Sequence, residues 1–224
     1  MKTKTVYEDT DAIRMPGWVS DLESFRRWCD DDAFPDKLNI AWLKGEVWFD
    51  LSLEQIFTHN NVKGVFGVVL GGIILAQHLG RFFTDGAFLS NEDADVSNKP
   101  DFMFASAEAI RSKRFRFVEG RHEGFVEVEG TPEMVLEVVS RGSVKKDKVT
   151  LREAYAHAGI KEYWLVDCRK EPLEFDLLRL GKRGYTATRK RDGWVRSEVF
   201  DRSFRLVREE GDDGHPAFKV EAAA

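Results

Sequence analysis

The chain has 224 residues, enough for one large domain or two small ones. Hydrophobic residues make up 42% of it and charged residues 33%, the balance of a soluble protein that can bury a sizeable core. The formal charge of −5 at pH 7 excludes a surface that is basic throughout, although a local basic patch can still bind a polyanion.

Cysteine usage and hydropathy set the expected compartment. Cys29 and Cys168 lie far apart and outside any zinc spacing, so we expect free thiols in a reducing environment. The N-terminal MKTKTVYEDTDAIRM contains no apolar signal region, so we expect a cytoplasmic protein. The apolar run from Val62 to Leu79 is uninterrupted only over 64–76, which is shorter than the ~20 residues a bilayer requires. We therefore expect a core helix and no membrane contact.

Hydrophobic periodicity and turn residues predict a series of short elements in the first half of the chain. The longest is a helix over 52–80, whose second half is expected to be buried on most faces. Its four glycines are expected to let another element approach closely, so a large side chain at Gly72 should overpack the core. The other elements, in chain order, are a helix over 21–30 capped by Ser20, a hairpin over 38–51, strands over 82–89 and 99–105, a helix over 106–114, and a hairpin over 115–128.

The middle of the chain predicts a parallel crossover. An apolar strand from Pro132 to Ser140 precedes a helix from Ser143 to His157 and a second apolar strand from Lys161 to Asp167, the pattern of an α/β sheet. Short strands with Gly, Asp and Lys turns follow. The predicted fold is α/β, with a mixed central sheet flanked by helices and a β-rich C-terminal extension. Within a single domain overall, the predicted segments are an N-terminal helix and linker (1–37), a core (38–180) and the extension (181–224).

Two acids stand out because they interrupt apolar strands. Glu137 shares a strand face with Val135 and Val139, and a buried carboxylate requires a partner, a metal or a proton. Asp101 has a similar setting before the apolar run that follows Pro100. Two carboxylates, completed by waters and substrate phosphates, form the usual magnesium site, and the nearby lysines can stabilise a phosphate or an oxyanion. The residues alone therefore indicate metal-assisted phosphodiester hydrolysis.

These motifs resemble a known family. The chain is similar to the bacterial Uma-two restriction-endonuclease family of the PD-(D/E)XK nuclease superfamily. The likeness covers roughly residues 38 to 180, and its specific part runs from Pro132 to Asp167. It is carried by PD at 100–101, EVVS at 137–140, AYAHAG at 154–159, IKEYWLVD at 160–167 and, more weakly, LKGEVWF at 43–49.

The resemblance implies a restriction-endonuclease-like fold and a magnesium site in which manganese can substitute. Asp101 and Glu137 are expected to bind the metal, helped by the backbone carbonyl of Val138. Glu46 and His59 are expected to line the same cleft. The resemblance also implies DNA as the partner and a homodimer as the assembly.

One position departs from the pattern. The superfamily places a lysine at what is here Val139, and the family often moves it to the position of Leu151; both residues are apolar. We expect a replacement from Lys146 or Lys148. At ~100° per helical residue, Lys148 lies about 60° from Leu151 and Lys146 about 140°, but Lys146 is closer to the end of the Glu137 strand. Sequence alone leaves both candidates open.

The leading hypothesis is a metal-dependent endonuclease acting on DNA. The alternative is a catalytically silent nuclease fold that binds nucleic acid or protein, which the missing lysine favours. A third hypothesis is hydrolysis of a smaller phosphoester. Two basic clusters, at 111–121 and 179–191, are either solvated hairpins or contacts to a phosphate backbone.

Overall fold

The computed structural model describes residues 14–35, 37–122 and 124–224. Residues 1–13 of the predicted N-terminal segment, and Glu123 in the predicted turn of the 115–128 hairpin, lie outside this part. Four α-helices are present in it: α1 (Leu22–Cys29), α2 (Val62–Ala76), α3 (Ala107–Arg111) and α4 (Arg152–His157). Two of them are preceded by π-helical turns, Ile56–Asn61 before α2 and Lys146–Leu151 before α4.

The strands form three sheets. The strands are β1 (Asn39–Leu43), β2 (Glu46–Asp50), β3 (Gly80–Thr84), β4 (Phe88–Asn91), β5 (Val96–Asn98), β6 (Phe102–Ser106), β7 (Phe115–Glu119), β8 (Phe125–Gly130), β9 (Met134–Val138), β10 (Glu162–Asp167), β11 (Glu174–Gly181), β12 (Gly184–Ala187), β13 (Val195–Ser197), β14 (Arg202–Glu210) and β15 (Pro216–Ala223). The first sheet has the order β2-β1-β5-β4-β8-β7, the central sheet β12-β11-β10-β9-β6-β3, and the C-terminal sheet β13-β14-β15.

The predicted fold class is confirmed. Strand β10 lies parallel to β9 after the crossover through α4, and the remaining neighbours in the central sheet are antiparallel, so the sheet is mixed. The structure adds a second six-stranded sheet. The strand predicted over 82–89 is in fact two strands, because Asp85 and Gly86 both have positive φ and turn the chain from the central sheet into the first one.

The central sheet is buried on both faces, as its apolar strands require. Val135, Tyr163 and Leu178 pack with α4 and the first sheet on one side. Leu136, Trp164 and others pack with α2 and the C-terminal sheet on the other side. Because both faces of the central sheet are covered, we expect a functional site at the ends of its strands, where the covering layers stop.

Helix α1 begins at Leu22, one residue later than predicted. Asp21, not Ser20, is the N-cap, and it exchanges hydrogen bonds with Ser24 in a capping box. The apolar side of the helix buries Phe25 and Trp28 against Trp42 and its neighbours in the first sheet. The N-terminal helix is thereby packed on the core.

Helix α2 is less buried than predicted. Its buried residues form one stripe, which includes Phe66, Leu70 and Gly71, whereas Val68 is 76% exposed. A Cβ on Gly71 would meet the Phe82 ring at 2.9 Å, but nothing lies within 4 Å of one on Gly72. The expectation that Gly72 packs closely is therefore wrong. The segment Ile56–Ala76 has 21 residues, and its most apolar 18-residue stretch has a mean hydropathy of 1.2. It is therefore long and apolar enough to span a membrane, as core helices also are.

Candidate active site

Strand register brings the two predicted acids together. Strand β6 runs antiparallel to β9 with Phe102 opposite Leu136, so Asp101 comes beside Glu137 at one end of the central sheet. The N–H of Val138 donates to Asp101 Oδ2 at 2.7 Å. We call this edge, where β9 and β10 end and β6 begins, the cleft end of the central sheet.

Glu137 is 3% exposed and is held by neutral donors. The amide of Asn98 and the hydroxyl of Tyr155 both donate to its Oε1, at 2.9 and 2.8 Å. Burial raises the pKa of Glu137 well above its usual range; Lys146 opposes this rise, and Asp101 adds to it by repulsion. Burial also raises the pKa of Asp101, against the attraction of His59 and Lys63. Ionisation of both carboxyl groups is therefore costly, and a cation bound between them would lower that cost.

The first π-helical turn supplies a histidine and the start of α2 a lysine. His59 lies with Nε2 3.9 Å from Asp101 Oδ2, and its Nδ1 is 3.0 Å from Glu54 Oε1. Lys63 Nζ contacts Glu54, Asp85 Oδ2 at 2.9 Å and Asp101 Oδ1 at 3.6 Å. Burial lowers the pKa of Lys63, but attraction by Asp101 and its other partners outweighs this and raises it. Lys63 is therefore a fixed positive charge beside the acid pair.

The second π-helical turn carries Lys146 and Asp147, both almost fully buried. Lys146 Nζ is 3.7 Å from Asp147 Oδ1. Burial lowers the pKa of Lys146, but Asp147, Glu137 and Asp101 together attract its proton and raise the pKa. Burial raises the pKa of Asp147 to about 7, although Lys146 and a hydrogen bond from Ser143 oppose it. Asp147 Oδ1 is a buried oxygen to which no group in the described part of the chain donates a hydrogen bond.

These groups surround a cleft of about 520 Å³. Its wall includes Asp50, whose strand β2 belongs to the first sheet, and whose Oδ2 is 3.5 Å from Ser140 Oγ. The charged residues along the cleft are Lys37, Asp50, Glu54, His59, Lys63, Asp85, Lys99, Asp101, Glu137, Lys146 and Asp147. Acids and cations are mixed, as in a site that holds both a cation and a phosphate.

The donor set suits magnesium. No group of three or more His, Cys, Asp or Glu side chains converges on one point in the residues that the structure describes. Magnesium does not require such a group, because it usually takes one or two carboxylates and completes its shell with waters and substrate phosphates. Asp101 and Glu137 are two such carboxylates, and burial raises the pKa of both.

The structure brings five of the predicted site residues to the cleft: His59, Asp101, Glu137, Val138 and Lys146. It places two elsewhere. Glu46 is exposed at the turn end of β2, and the acid that this strand gives to the cleft is Asp50, four residues further on. Four strand residues span about 13 Å, so the two ends cannot serve one site.

Lys148 is the other predicted residue that lies outside the cleft. Its Nζ is 2.8 Å from Asp167 Oδ2 and 2.5 Å from Glu174 Oε2. Val139 and Leu151, the two positions where a lysine is expected from the resemblance, are fully buried in the core. Of the two candidate replacements, Lys146 is the one that lines the cleft, where Glu137 and Asp101 help to raise its pKa.

Several cleft residues carry no sequence pattern that would have selected them. Lys63 lies in an apolar run, and Glu54 in a polar segment without a motif. Asp147 sits among lysines, where a solvated ion pair is the simpler explanation. Only Asp50, at the end of a predicted hairpin strand, had a pattern comparable to that of Asp101.

The mixed sheet with an acid pair at its strand ends defines a nuclease-like α/β protein. One solved structure of this fold is described as "Crystal structure of a putative nuclease belonging to DUF820 from Anabaena variabilis"; its TM-score is 0.58 at 14% identity, over 81% of this chain and 90% of that one. The model of the Uma2 family, described as "Putative restriction endonuclease", matches residues 22–207. The chain therefore belongs to the Uma2 family, as the sequence motifs indicated. Comparison with curated proteins gave no match.

Proposed function

We propose that this protein is a magnesium-dependent endonuclease that hydrolyses phosphodiester bonds in DNA. One observation carries the proposal: two buried carboxylates, Asp101 and Glu137, share one end of the central sheet, and burial raises the pKa of both. A carboxylate that is costly to ionise in the free protein is expected to gain a cation in the working one. The family to which the chain belongs supports a nuclease reaction.

The residues of the cleft divide into metal-binding and charge-stabilising groups. Asp101 and Glu137 would hold the metal together with the carbonyl oxygen of Val138. A bound magnesium ion supplies Lewis-acid stabilisation of the phosphate oxygens and lowers the pKa of bound water. Asn98 and Tyr155 orient Glu137 through its Oε1. Glu54 orients His59 towards Asp101.

Lys146 is the best candidate for the lysine that the motif lacks. It is buried among carboxylates in the cleft, and its raised pKa keeps it protonated at neutral pH. A fixed ammonium group stabilises negative charge as it develops on the phosphate in the transition state, which requires no rearrangement of solvent. Manganese is expected to replace magnesium, because both accept oxygen ligands.

A silent DNA- or protein-binding module is the second candidate. The observation that favours it is that both expected lysine positions, Val139 and Leu151, are apolar and buried. In addition, Lys63 already lies 3.6 Å from Asp101, where it partly balances the acid. A protein that had lost catalysis could use Lys63 to neutralise the site permanently.

Metal titration separates the two candidates. Calorimetry with manganese on the wild-type chain should show binding at submillimolar to millimolar concentration, and Asp101→Asn should abolish it. Nicking of supercoiled plasmid should require manganese over the same concentration range and should be lost in Asp101→Asn. Metal binding without nicking would support the silent module, and no metal binding at millimolar concentration would remove the nuclease proposal. The homodimer and the cytoplasmic location stay predictions.

A further inference from the structure

The two basic clusters of the sequence have different surroundings. In the first, Arg114 contacts Glu133 and Glu108, Arg116 contacts Glu129, and Arg121 lies 3.5 Å from Asp31. These arginines already have carboxylate partners. A phosphate would have to compete with those carboxylates, so this cluster is a poor anion site.

The second cluster straddles strands β11 and β12 of the central sheet. Gly181 pairs with Gly184, so Lys182 and Arg183 form the turn at the end away from the cleft. Strand β12 then runs back parallel to β10 and β9. The N–H of Thr188 bonds to Leu177 O, and Lys190 Nζ lies 2.7 Å from Asp176 Oδ1.

These contacts place the end of β12 beside the cleft end. Asp176 pairs with Leu165, and Leu165 pairs with Glu137. Lys190 and its neighbours Arg189 and Arg191, which follow the last residue of β12, therefore lie close to the level of Glu137, three strand positions away. Three strand spacings amount to about 14 Å. The pairing of β12 and the Thr188 hydrogen bond support this placement of Arg189, whereas Arg191 lies further on, where its backbone pairs with Trp194 in a separate turn.

Most acids along this edge already have cations; within the described residues Asp192, directly after Arg191, does not. Asp167 is contacted by Arg169 and Lys148, Glu174 by Lys148, and Asp176 by Lys190. Arg189 and Arg191 are exposed, and no ion-pair partner of either exists in residues 14–35, 37–122 and 124–224. Lys170, after the end of β10, is also exposed and has no ion-pair partner among the described residues. The edge therefore carries surplus positive charge on a chain whose formal charge is −5.

We propose that Lys170, Arg189 and Arg191 form a phosphate-binding track for one arm of a DNA duplex whose cleaved bond lies at Asp101 and Glu137. This inference rests on the proposed function and names the surface by which the substrate is held. DNA carries one charge per ~1.7 Å of helix axis, so 14 Å corresponds to roughly four base pairs beyond the cleft. Contacts of this kind give affinity and position without sequence preference.

The test uses a matched pair of double variants in the Glu137→Gln background, which prevents cleavage. Arg189→Ala with Arg191→Ala removes two of the three track cations at the cleft end. Lys182→Ala with Arg183→Ala removes two exposed cations from the other end of β11 and β12. Binding of a labelled 30-base-pair duplex is measured by fluorescence anisotropy between 50 and 200 mM salt. Two lost phosphate contacts should flatten the slope of log K against log salt by about 1.8.

At 50 mM salt the track variant should bind at least tenfold more weakly, and the control variant should match its parent. Arg189→Lys with Arg191→Lys should restore most of the affinity, because lysine still binds phosphate as a point charge. Melting temperatures should agree among all variants. Recovery by the lysine variant would exclude a folding defect as the cause of a loss.

Three results would overturn the track alone, and a fourth would overturn both proposals. Equal affinity and equal salt slope in the track variant and its parent would do so, as would equal losses in the track and control variants. Plasmid nicking is also compared between wild type and the Arg189→Ala, Arg191→Ala variant with Glu137 intact. If the two nick at the same rate, the track is wrong and the nuclease proposal stands. If the wild-type chain neither binds nor nicks DNA, both proposals fall.

Discussion

Two buried glutamates lie at opposite ends of neighbouring strands in the central sheet, and their surroundings differ. Glu162, at the start of β10, accepts hydrogen bonds from the backbone of Glu198 and Val199, from Trp164 and from Ser197. Glu137, near the end of β9, accepts from Asn98 and Tyr155 on one oxygen and faces Asp101. Both are nearly inaccessible to solvent, and each lines a cavity with other acids, so the two differ in their hydrogen-bond donors and nearest charges and not in exposure.

The difference teaches that burial alone does not mark a functional acid. Four fixed donors satisfy Glu162, so its charge is a structural element that ties β10 to the segment after β13. Glu137 has two neutral donors on one oxygen and a repelling neighbour in Asp101, and Lys146 only partly offsets the cost of its ionised form. The same contrast separates Lys148, which has two carboxylate partners, from Lys146, which lies among the cleft carboxylates.

The largest expected effect comes from removing a cleft carboxylate. Glu137→Gln and Asp101→Asn should each lower metal-dependent nicking by roughly a thousandfold or more, equivalent to ~4 kcal/mol, because they remove charge and little volume. Glu162→Gln, measured at a temperature where it remains folded, should nick within a few-fold of wild type. A Glu137→Gln variant that nicks at the wild-type rate would show that this residue holds no metal.

The next effect distinguishes the two lysines. In single-turnover cleavage at saturating manganese, Lys146→Ala should be slower by about a hundredfold, because the charge it stabilises develops only in the transition state. Lys148→Ala should keep the wild-type rate, and the double variant should match Lys146→Ala. Loss of rate on changing Lys148 alone would reverse the assignment.

The third effect concerns stability at the other end of the sheet. Glu162→Gln should reduce the free energy of unfolding by about 2 kcal/mol, because the amide group turns a donor towards groups that donate to the carboxylate. Glu137→Gln should leave the metal-free protein as stable as wild type, or more so, since it removes a repelling charge. Urea unfolding in EDTA measures both. Equal losses in the two variants would mean that the two glutamates have the same structural role.

The smallest effect is a pH dependence. Burial raises the pKa of Asp147 to about 7, above its value in the unfolded chain. Between about pH 4 and 7 the folded protein therefore binds more protons than the unfolded one, so its stability falls as the pH rises, by at most ~1.4 kcal/mol per pH unit for one group. Asp147→Asn should flatten the curve of metal-free unfolding free energy over this window. An identical slope in Asp147→Asn would contradict the pKa shift.

Much of this protein was determined by local sequence. The apolar runs on either side of the α4 crossover predict the parallel pair β9 and β10, and the period of two in a strand separates Glu137 from its apolar neighbours. The motif around Asp101 and Glu137 predicts the family, which the comparisons confirm. These features depend on short spacings that a strand or a turn fixes by itself.

Tertiary structure decided which other side chains reach the acid pair. The helical angle of 100° per residue favoured Lys148, but residues 146–151 form a π-helical turn with a different period, so the angle does not apply, and Lys146 reaches the cleft. Lys63 and Asp50 arrive from α2 and from the first sheet, which only the packing of layers brings to the strand ends. Local patterns fix which face a residue occupies along its own element, whereas the position of that element against its neighbours depends on the whole core.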